Sequence, residues 1–252
     1  MEPNPKNLIR IDVWLVEKGL APSRAKAQEL IDEGAVRFRG QVVVASSLKV
    51  PVATTEVDVR ADEVLRYVSR GGRKLESALV ELGLDVTNFH VLDIGQSTGG
   101  FTDCVLQRGA KAVTGIDVGS QQLDARVKGD GRVTSYENLH FKDLAQHSEF
   151  RGRRFDLTVA DLSFISSLGH LPQLSAWSSR LLLLVKPQFE LGPEALNKKG
   201  LVQNTELISD LKARFENRVH ELGGRMHAWI PSGLAGKDGN QEYFLYAHFE
   251  NE

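Results

Sequence analysis

One cysteine in 252 residues, Cys104, excludes a disulfide framework and any cysteine-built zinc site. Charge of one sign is also missing. The 33 acidic and 31 basic residues nearly cancel, so no global field marks a nucleic-acid binder, and any basic surface must be local. Long hydrophobic runs are absent. The longest, Leu181–Val185, is strand length, well short of the roughly 18–20 residues that span a bilayer. The opening MEPNPKNLIRID has no apolar stretch of the kind a signal peptide needs, and the expected compartment is the cytoplasm. What is present, 41% hydrophobic and 25% charged residues, is ordinary globular composition with no shortage of core formers.

Residues 1–60 are expected to form a small α/β domain, with readable elements from residue 8. Ile11, Val13, Trp14 and Leu15 predict a helix that ends at Gly19, and Ser23 is placed to cap a second one that Gly34 stops. Ala35–Phe38 and Gln41–Val44 flank Arg39-Gly40 as a short hairpin. Further extended segments are expected at 49–51 and 55–59. Residues 61–70 form a connector, and a larger domain fills 71–252. Ser69–Lys74 reads as a basic, glycine-bearing turn that runs into a helix over 73–83.

Strands are expected at 90–94, 112–117, 132–136, 156–160, 181–186, 225–230 and 241–248. Helices are expected near 101–108, 121–127, 163–176 and 205–222. Alternation of this kind predicts a Rossmann-like, doubly wound α/β fold with a parallel sheet, its last two strands close enough to pair antiparallel. Residues 191–204 are polar and non-periodic, and read as a mobile loop.

The turn Gly95–Gly100 follows the buried strand Val91–Ile94 and opens a helix at Phe101. Ligands of doubly wound sheets sit at such strand ends, beside helix N-termini. The spacing matches neither the dinucleotide pattern nor a phosphate loop. Asp117 ends the next strand, where a carboxylate can accept hydrogen bonds from a ribose diol. Asp93-x-Gly95 followed by Asp117 is the arrangement associated with S-adenosylmethionine sites. The candidate cofactor contacts are Asp93, Gly95, Gln96, Ser97, Thr98, Gly99, Gly100, Phe101, Asp117, Val118, Asn138 and Asp161.

Asp161 closes the fourth strand and Lys186 the fifth, on the same edge as Gly95. Lys74 begins the helix before the first strand and Glu242 opens the last. Two lysines and two carboxylates can therefore converge. Such a quartet suits methyl transfer to a ribose 2′-hydroxyl, which needs an aligned oxygen and a route for its proton. Lys186 is the candidate base or oxyanion partner, Lys74 its tuning cation, and Asp161 and Glu242 the orienters. For RNA, the candidates are Arg10, Arg24, Lys26, Arg37 and Arg39 in the front domain, with Arg70 and Arg73 in the basic turn. Glu29, Asp32 and Glu33 dilute the first group, which on charge alone is equally a solvated face.

Two resemblances rest on these residues. Residues 10–43 resemble an S4-type RNA-binding domain, although Phe38-Arg39-Gly40 stands where that domain usually ends in V-N-G. The remainder resembles the FtsJ-like ribose methyltransferases, whose K-D-K-E tetrad maps onto Lys74, Asp161, Lys186 and Glu242. Together with S-R-G-G-x-K-L, S-T-G-G-F-T-D, A-D-L-S-F-I-S and L-V-K-P-Q-F-E, they are similar to the TlyA family, some of whose members carry a haemolysin label. That resemblance implies an S-adenosylmethionine-dependent rRNA cytidine 2′-O-methyltransferase acting on ribosomal RNA or a ribosomal subunit, more commonly the large one. It implies no metal. One departure is Gln96, where the family pattern has alanine, expected to alter packing against the methionine moiety. The alternatives are a non-catalytic S4-bearing ribosome assembly factor and a membrane-active haemolysin. The latter would need an apolar or strongly amphipathic helix, and neither is legible.

Overall fold

The structure is a computed structural model and describes residues 7–250. It divides into two compact units, with the division between Tyr67 and Val68. The first contains β1 (Leu8–Arg10), α1 (Ile11–Glu17), α2 (Arg24–Asp32), β2 (Val36–Phe38), β3 (Gln41–Val42), β4 (Lys49–Pro51), β5 (Val57–Val59) and α3 (Ala61–Val64). Strands β3, β2 and β5 form one antiparallel sheet, and β1 pairs with β4. Ile11, Trp14 and Leu15 sit at i, i+3 and i+4 on α1, and with Leu30, Ile31 and Val36 they fill this unit's core. The expected cap is present: Ser23 Oγ accepts from the Lys26 amide at 3.3 Å. The hairpin turns at Arg39 and Gly40, whose φ values of 52° and 77° give the doubly left-handed turn that matches strand twist. Helix α3 is one element that the expected connector did not foretell.

The second unit begins with α4 (Arg70–Glu81) and β6 (His90–Ile94), followed by α5 (Gly100–Gln107), β7 (Ala112–Ile116), α6 (Ala125–Lys128) and β8 (Val133–Tyr136). Then come β9 (Leu157–Asp161), α7 (Leu171–Ser175), β10 (Arg180–Val185), α8 (Pro187–Glu190), α9 (Thr205–Glu221), β11 (Gly224–Pro231) and β12 (Tyr243–Phe249). The seven strands run in the order β11-β12-β10-β9-β6-β7-β8. Neighbours from β10 through β8 are parallel, whereas β12 inserts antiparallel between β10 and β11. Alternate residues of β12 thus face two layers. Leu245, Ala247 and Phe249 pack in a core with Leu211, Phe215 and Val219 of α9, while the Phe244 ring lies 6.0 Å from Phe101 of α5.

Three local expectations are corrected. The Ser69–Lys74 segment is not a turn: Arg70, Gly71, Gly72 and Arg73 are already helical, in α4. The glycines are there for packing. A Cβ on Gly100 would overlap Ser69 Oγ and lie 3.0 Å from the Gly72 amide, and one on Gly71 would lie 3.5 Å from the Phe101 ring. The glycine pairs of S-R-G-G and S-T-G-G therefore let α4 and α5 cross closely. Residues 163–176 do not form one helix. Phe164 adopts φ 66°, and the amides of Ser167 and Leu168 donate to Glu190 rather than to a preceding turn. Residues 191–204 are tied down. Leu196 and Val202 form a β-bridge, Asn197 Oδ1 accepts from Lys199 and Leu201, and Asn240 grips the segment from outside.

Candidate active site

Sheet register brings the site together. Asp161 is the last residue of β9, Lys186 follows Val185 of β10, and Glu242 precedes Tyr243 of β12, which pairs with Val185. Three strands laid side by side thus deliver three of the four charged groups to one edge. The fourth, Lys74, comes from the second turn of α4.

These groups form two ion pairs. Lys74 Nζ meets Glu242 Oε2 at 2.6 Å, and both residues are buried, 8% and 3% exposed. Lys186 Nζ meets Asp161 Oδ1 at 2.7 Å and donates to Ser163 Oγ at 2.7 Å. The second pair is the more open, with Asp161 facing solvent over about a quarter of its side chain. Each ammonium is neutralised by one carboxylate, so a buried charge is compensated where desolvation alone would cost several kcal/mol.

Beside the quartet, Gly95, Ser97 and Gly99 take φ values of 84°, 48° and 89°, and the loop turns sharply from β6 into α5. Asp117 holds it from the end of β7, accepting the Ser97 amide at 2.7 Å through Oδ2 and the Gly119 amide at 2.6 Å through Oδ1. Each carboxylate oxygen keeps further acceptor capacity. Val118 is 62% exposed next to it. Asn138, at φ 56°, donates its amide to Gly119 O and sits beside that turn. Ser97 and Thr98 are exposed. An acid with spare lone pairs, an exposed apolar side chain and a close-approach glycine loop fit a nucleoside-bearing cofactor.

Two expected contacts point elsewhere. The Phe101 ring is buried between Gly71 and Phe244, leaving only its backbone at the loop. The Gln96 side chain is also buried. Its Nε2 donates to Thr102 Oγ1 at 3.0 Å, and its Oε1 accepts from Ser135 Oγ at 2.5 Å. It occupies the space above Gly115, where a Cβ would collide with the amide. The departure at Gln96 is therefore accommodated behind the loop by a glycine on β7 and a serine on β8.

The same network reaches Asp93. Thr102 Oγ1 donates to Asp93 Oδ2 at 2.6 Å, while Oδ1 is buried without a hydrogen-bond partner. Loss of solvent pushes this carboxyl up to about 7, and the nearby Asp161 charge adds to the rise. An acid raised in the folded state binds its proton where the unfolded chain has released it. Its contribution to stability is full below the ordinary carboxylate range and lost as pH rises through about 7. Asp93→Asn, which cannot ionise, is expected to gain Tm relative to the parent as pH rises from about 4 to about 7, with the gap levelling off above that. A gap moving the other way in thermal melts would show that Asp93 is stabilised as a carboxylate.

Sequence motifs alone did not single out three supporting groups. Ser163 holds Lys186. Glu190, buried on α8, accepts from Ser166 Oγ, Ser167 N, Ser167 Oγ and Leu168 N, and so fixes the turn on which Phe164 stands 85% exposed. Asn240 bonds across two loops next to Glu242. Ser163 and Glu190 lie inside A-D-L-S-F-I-S and L-V-K-P-Q-F-E, where the signal was the motif itself.

In the first unit, the candidate RNA contacts are already engaged. Arg10 and Arg24 both meet Asp12 Oδ2, at 2.9 and 3.1 Å, and hold that buried carboxyl well below the usual carboxylate range. Two guanidiniums on one carboxylate leave one net positive charge, in a fixed orientation. Lys26 pairs with Glu29 at 2.6 Å and Arg39 with Glu56 at 2.8 Å, while Arg37 donates to Gly40 O. In the second unit, Arg70 donates to Ala235 O at 3.1 Å, and Arg73 is half-buried one position before Lys74.

Residues 67–249 match the FtsJ-like methyltransferase family, over a span that includes all four charged residues of the quartet. The chain belongs to that family. Ahead of the FtsJ-like part, residues 9–52 match the S4 domain. Among curated relatives, the 16S/23S rRNA (cytidine-2′-O)-methyltransferase TlyA of Mycobacterium tuberculosis is 40% identical, with 96% of this chain and 91% of that protein covered. The 23S rRNA (cytidine-2′-O)-methyltransferase TlyA of Campylobacter jejuni is 32% identical over 92% and 97%. A solved chain from Streptococcus thermophilus, described as a candidate hemolysin, superimposes with a TM-score of 0.70 at 32% identity, covering 98% of this chain and 90% of its own. Among the described residues, no helix of this FtsJ-like protein is long and apolar enough to cross a membrane.

Proposed function

We propose that this FtsJ-like methyltransferase places a methyl group on the 2′-hydroxyl of a cytidine in ribosomal RNA, with the large subunit as the first substrate to test. The observation that carries the reading is the pair of neutralised lysines, Lys186–Asp161 and Lys74–Glu242, set at strand ends beside the glycine loop. The names of the M. tuberculosis and C. jejuni relatives support the choice of base and RNA. The cofactor is S-adenosylmethionine, whose sulfonium supplies an electrophilic methyl group. Asp117 and Val118 would receive its nucleoside end, and Gly95, Ser97, Thr98 and Gly99 would hold the rest through loop backbone, with Asn138 flanking.

Within the quartet, Lys186 Nζ holds the ribose oxygen. Ser163 and Asp161 aim it; the Lys186 ammonium stabilises the charge that develops on the oxygen and the Asp161 carboxylate takes the hydroxyl proton, while the oxygen–carbon bond forms as the methyl–sulfur bond would break and leave a neutral thioether. Lys74 and Glu242 form the fixed wall behind them. The first unit serves as the S4-type RNA-binding domain and the second, from Val68 onward, as the catalytic domain. Asp12 presents Arg10 and Arg24 together, a geometry suited to phosphate. The exposed Phe164 ring offers a stacking face to an unpaired base.

The test is incubation with methyl-labelled S-adenosylmethionine and purified large or small ribosomal subunits lacking the modification, followed by mapping of 2′-O-methyl positions. Label at a cytidine ribose is expected. Label confined to a base or to protein, or none at all, would overturn the proposal.

A further inference from the structure

Two surface turns next to Glu242 are locked together by one buried side chain. Asn240 accepts the Val202 amide at 2.9 Å through Oδ1 and donates through Nδ2 to Gly200 O and Asp238 Oδ2, each at 2.9 Å. Its carbonyl accepts the Gly236 amide at 2.8 Å. An asparagine with all these bonds, 2% exposed, fixes the tip formed by Asn197–Gly200 against the tip formed by Gly236–Gly239. Both tips need glycine, since Gly200 and Gly239 adopt φ 77° and 90°.

The loops are bolted to the catalytic elements as well. Arg70, on the helix of Lys74, donates to Ala235 O. Gln188, two residues after Lys186, donates to Asp238 Oδ2 at 3.2 Å. The tips present Lys198, Lys199 and Lys237, all exposed and, among the described residues, none in an ion pair. The acids of these loops do not neutralise them. Asp238 and Glu194 are exposed, but Asp238 Oδ2 is engaged by Asn240 and Gln188, Glu194 folds back over Gly192, and Glu242 is paired with Lys74.

We infer that Lys198, Lys199 and Lys237 form a lip that binds the phosphate backbone of RNA flanking the methylated nucleotide, and that Asn240 is the positioning residue that holds the lip in register with the quartet. This rests on the RNA methyl-transfer reading. Ammonium groups on flexible stems, unpaired and solvated, suit a polyanion read by charge rather than by sequence. The hydrogen-bonded turn backbones keep those charges together without an ion-pair partner among the described residues.

The experiment replaces the three lysines by glutamine together, and separately by arginine, in the full-length chain. Filter binding to purified large ribosomal subunits, between about 50 and about 300 mM KCl, gives the slope of log affinity against log salt, which falls by about 0.7 per lost single-strand phosphate contact. The glutamine variant should lose about 2 from that slope and raise KM for subunits roughly tenfold at low salt. S-adenosylmethionine affinity and kcat at saturating subunits should stay unchanged. The arginine variant should keep the parental slope. Asn240→Ala should reproduce the loss of slope with its lysines intact, and should expose the 197–202 tip to limited proteolysis.

An unchanged slope and KM in the glutamine variant would overturn the lip, and an unchanged slope in Asn240→Ala would overturn the role of Asn240. The result separates from the wider reading. If the parent transfers no methyl to rRNA, the functional reading fails on its own assay, while the binding slope still tests the lip.

Discussion

Lys186→Ala is expected to lower methyl transfer about 10²–10³-fold, the range lost when a positioned donor to a developing oxyanion is removed, while S-adenosylmethionine binding stays near the parental value. The geometry explains why the two effects should separate. Lys186 touches Asp161 and Ser163, whereas the glycine loop is held from the other side by Asp117. Single-turnover transfer from labelled cofactor measures the first effect, and calorimetric titration measures the second. Lys186→Arg retains charge but changes the donor's shape, so it should recover folding and cofactor binding without recovering the rate. Parallel loss of cofactor affinity in Lys186→Ala would make this lysine structural.

Lys74 is the weaker probe despite belonging to the same quartet. Its removal leaves Glu242 buried and unpaired, and breaking a buried pair on one side costs about 3–5 kcal/mol of stability. A loss of activity there would report unfolding as readily as chemistry. The more open Lys186–Asp161 pair avoids that ambiguity, because water can reach the carboxylate left behind.

Much of this site was legible before any coordinates, for a topological reason. Parallel strands read as short apolar runs, and whatever follows each run must emerge at the same edge. Asp161, Lys186 and Gly95 needed only that rule. The placement of β12 did not follow, because proximity in sequence to β11 says nothing about a strand inserting on its far side, next to β10. Lys74 was assigned to a helix start, yet Arg70 already lies in that helix. Glycine's poor helix propensity argued for a turn, and the tertiary demand for close α4–α5 contact prevailed. The helix expected over 163–176 failed for the opposite reason, since Glu190 captures the amides such a helix would need. Gln96 could not be understood alone. Its fit depends on Gly115 and Ser135, which single-sequence spacing does not connect to it.

Gly95→Ala should be the most damaging of the small substitutions, because two independent penalties meet there. The backbone stands at φ 84°, a region that costs an L-residue about 1–2 kcal/mol. The added Cβ would overlap the Asp161 carbonyl oxygen and lie 3.1 Å from its carbonyl carbon, and a backbone group cannot rotate away as a side chain can. Overpacking of this kind adds about 1–3 kcal/mol. Together these amount to roughly 2–5 kcal/mol, or a Tm lowered by roughly 5–15 °C in a domain of this size. Relief requires the end of β9 to retreat, which carries Asp161 away from Lys186. The variant should therefore lose cofactor affinity and transfer rate together, unlike Lys186→Ala. Gly152→Ala separates the two penalties, since Gly152 has φ 73° with nothing within 4 Å of its would-be Cβ. It should show only the conformational cost and near-parental activity. Equal Tm losses in the two variants, with cofactor affinity preserved in Gly95→Ala, would mean that the loop and the Asp161 backbone are not in contact as described, and would remove the mechanical link between cofactor site and catalytic pair.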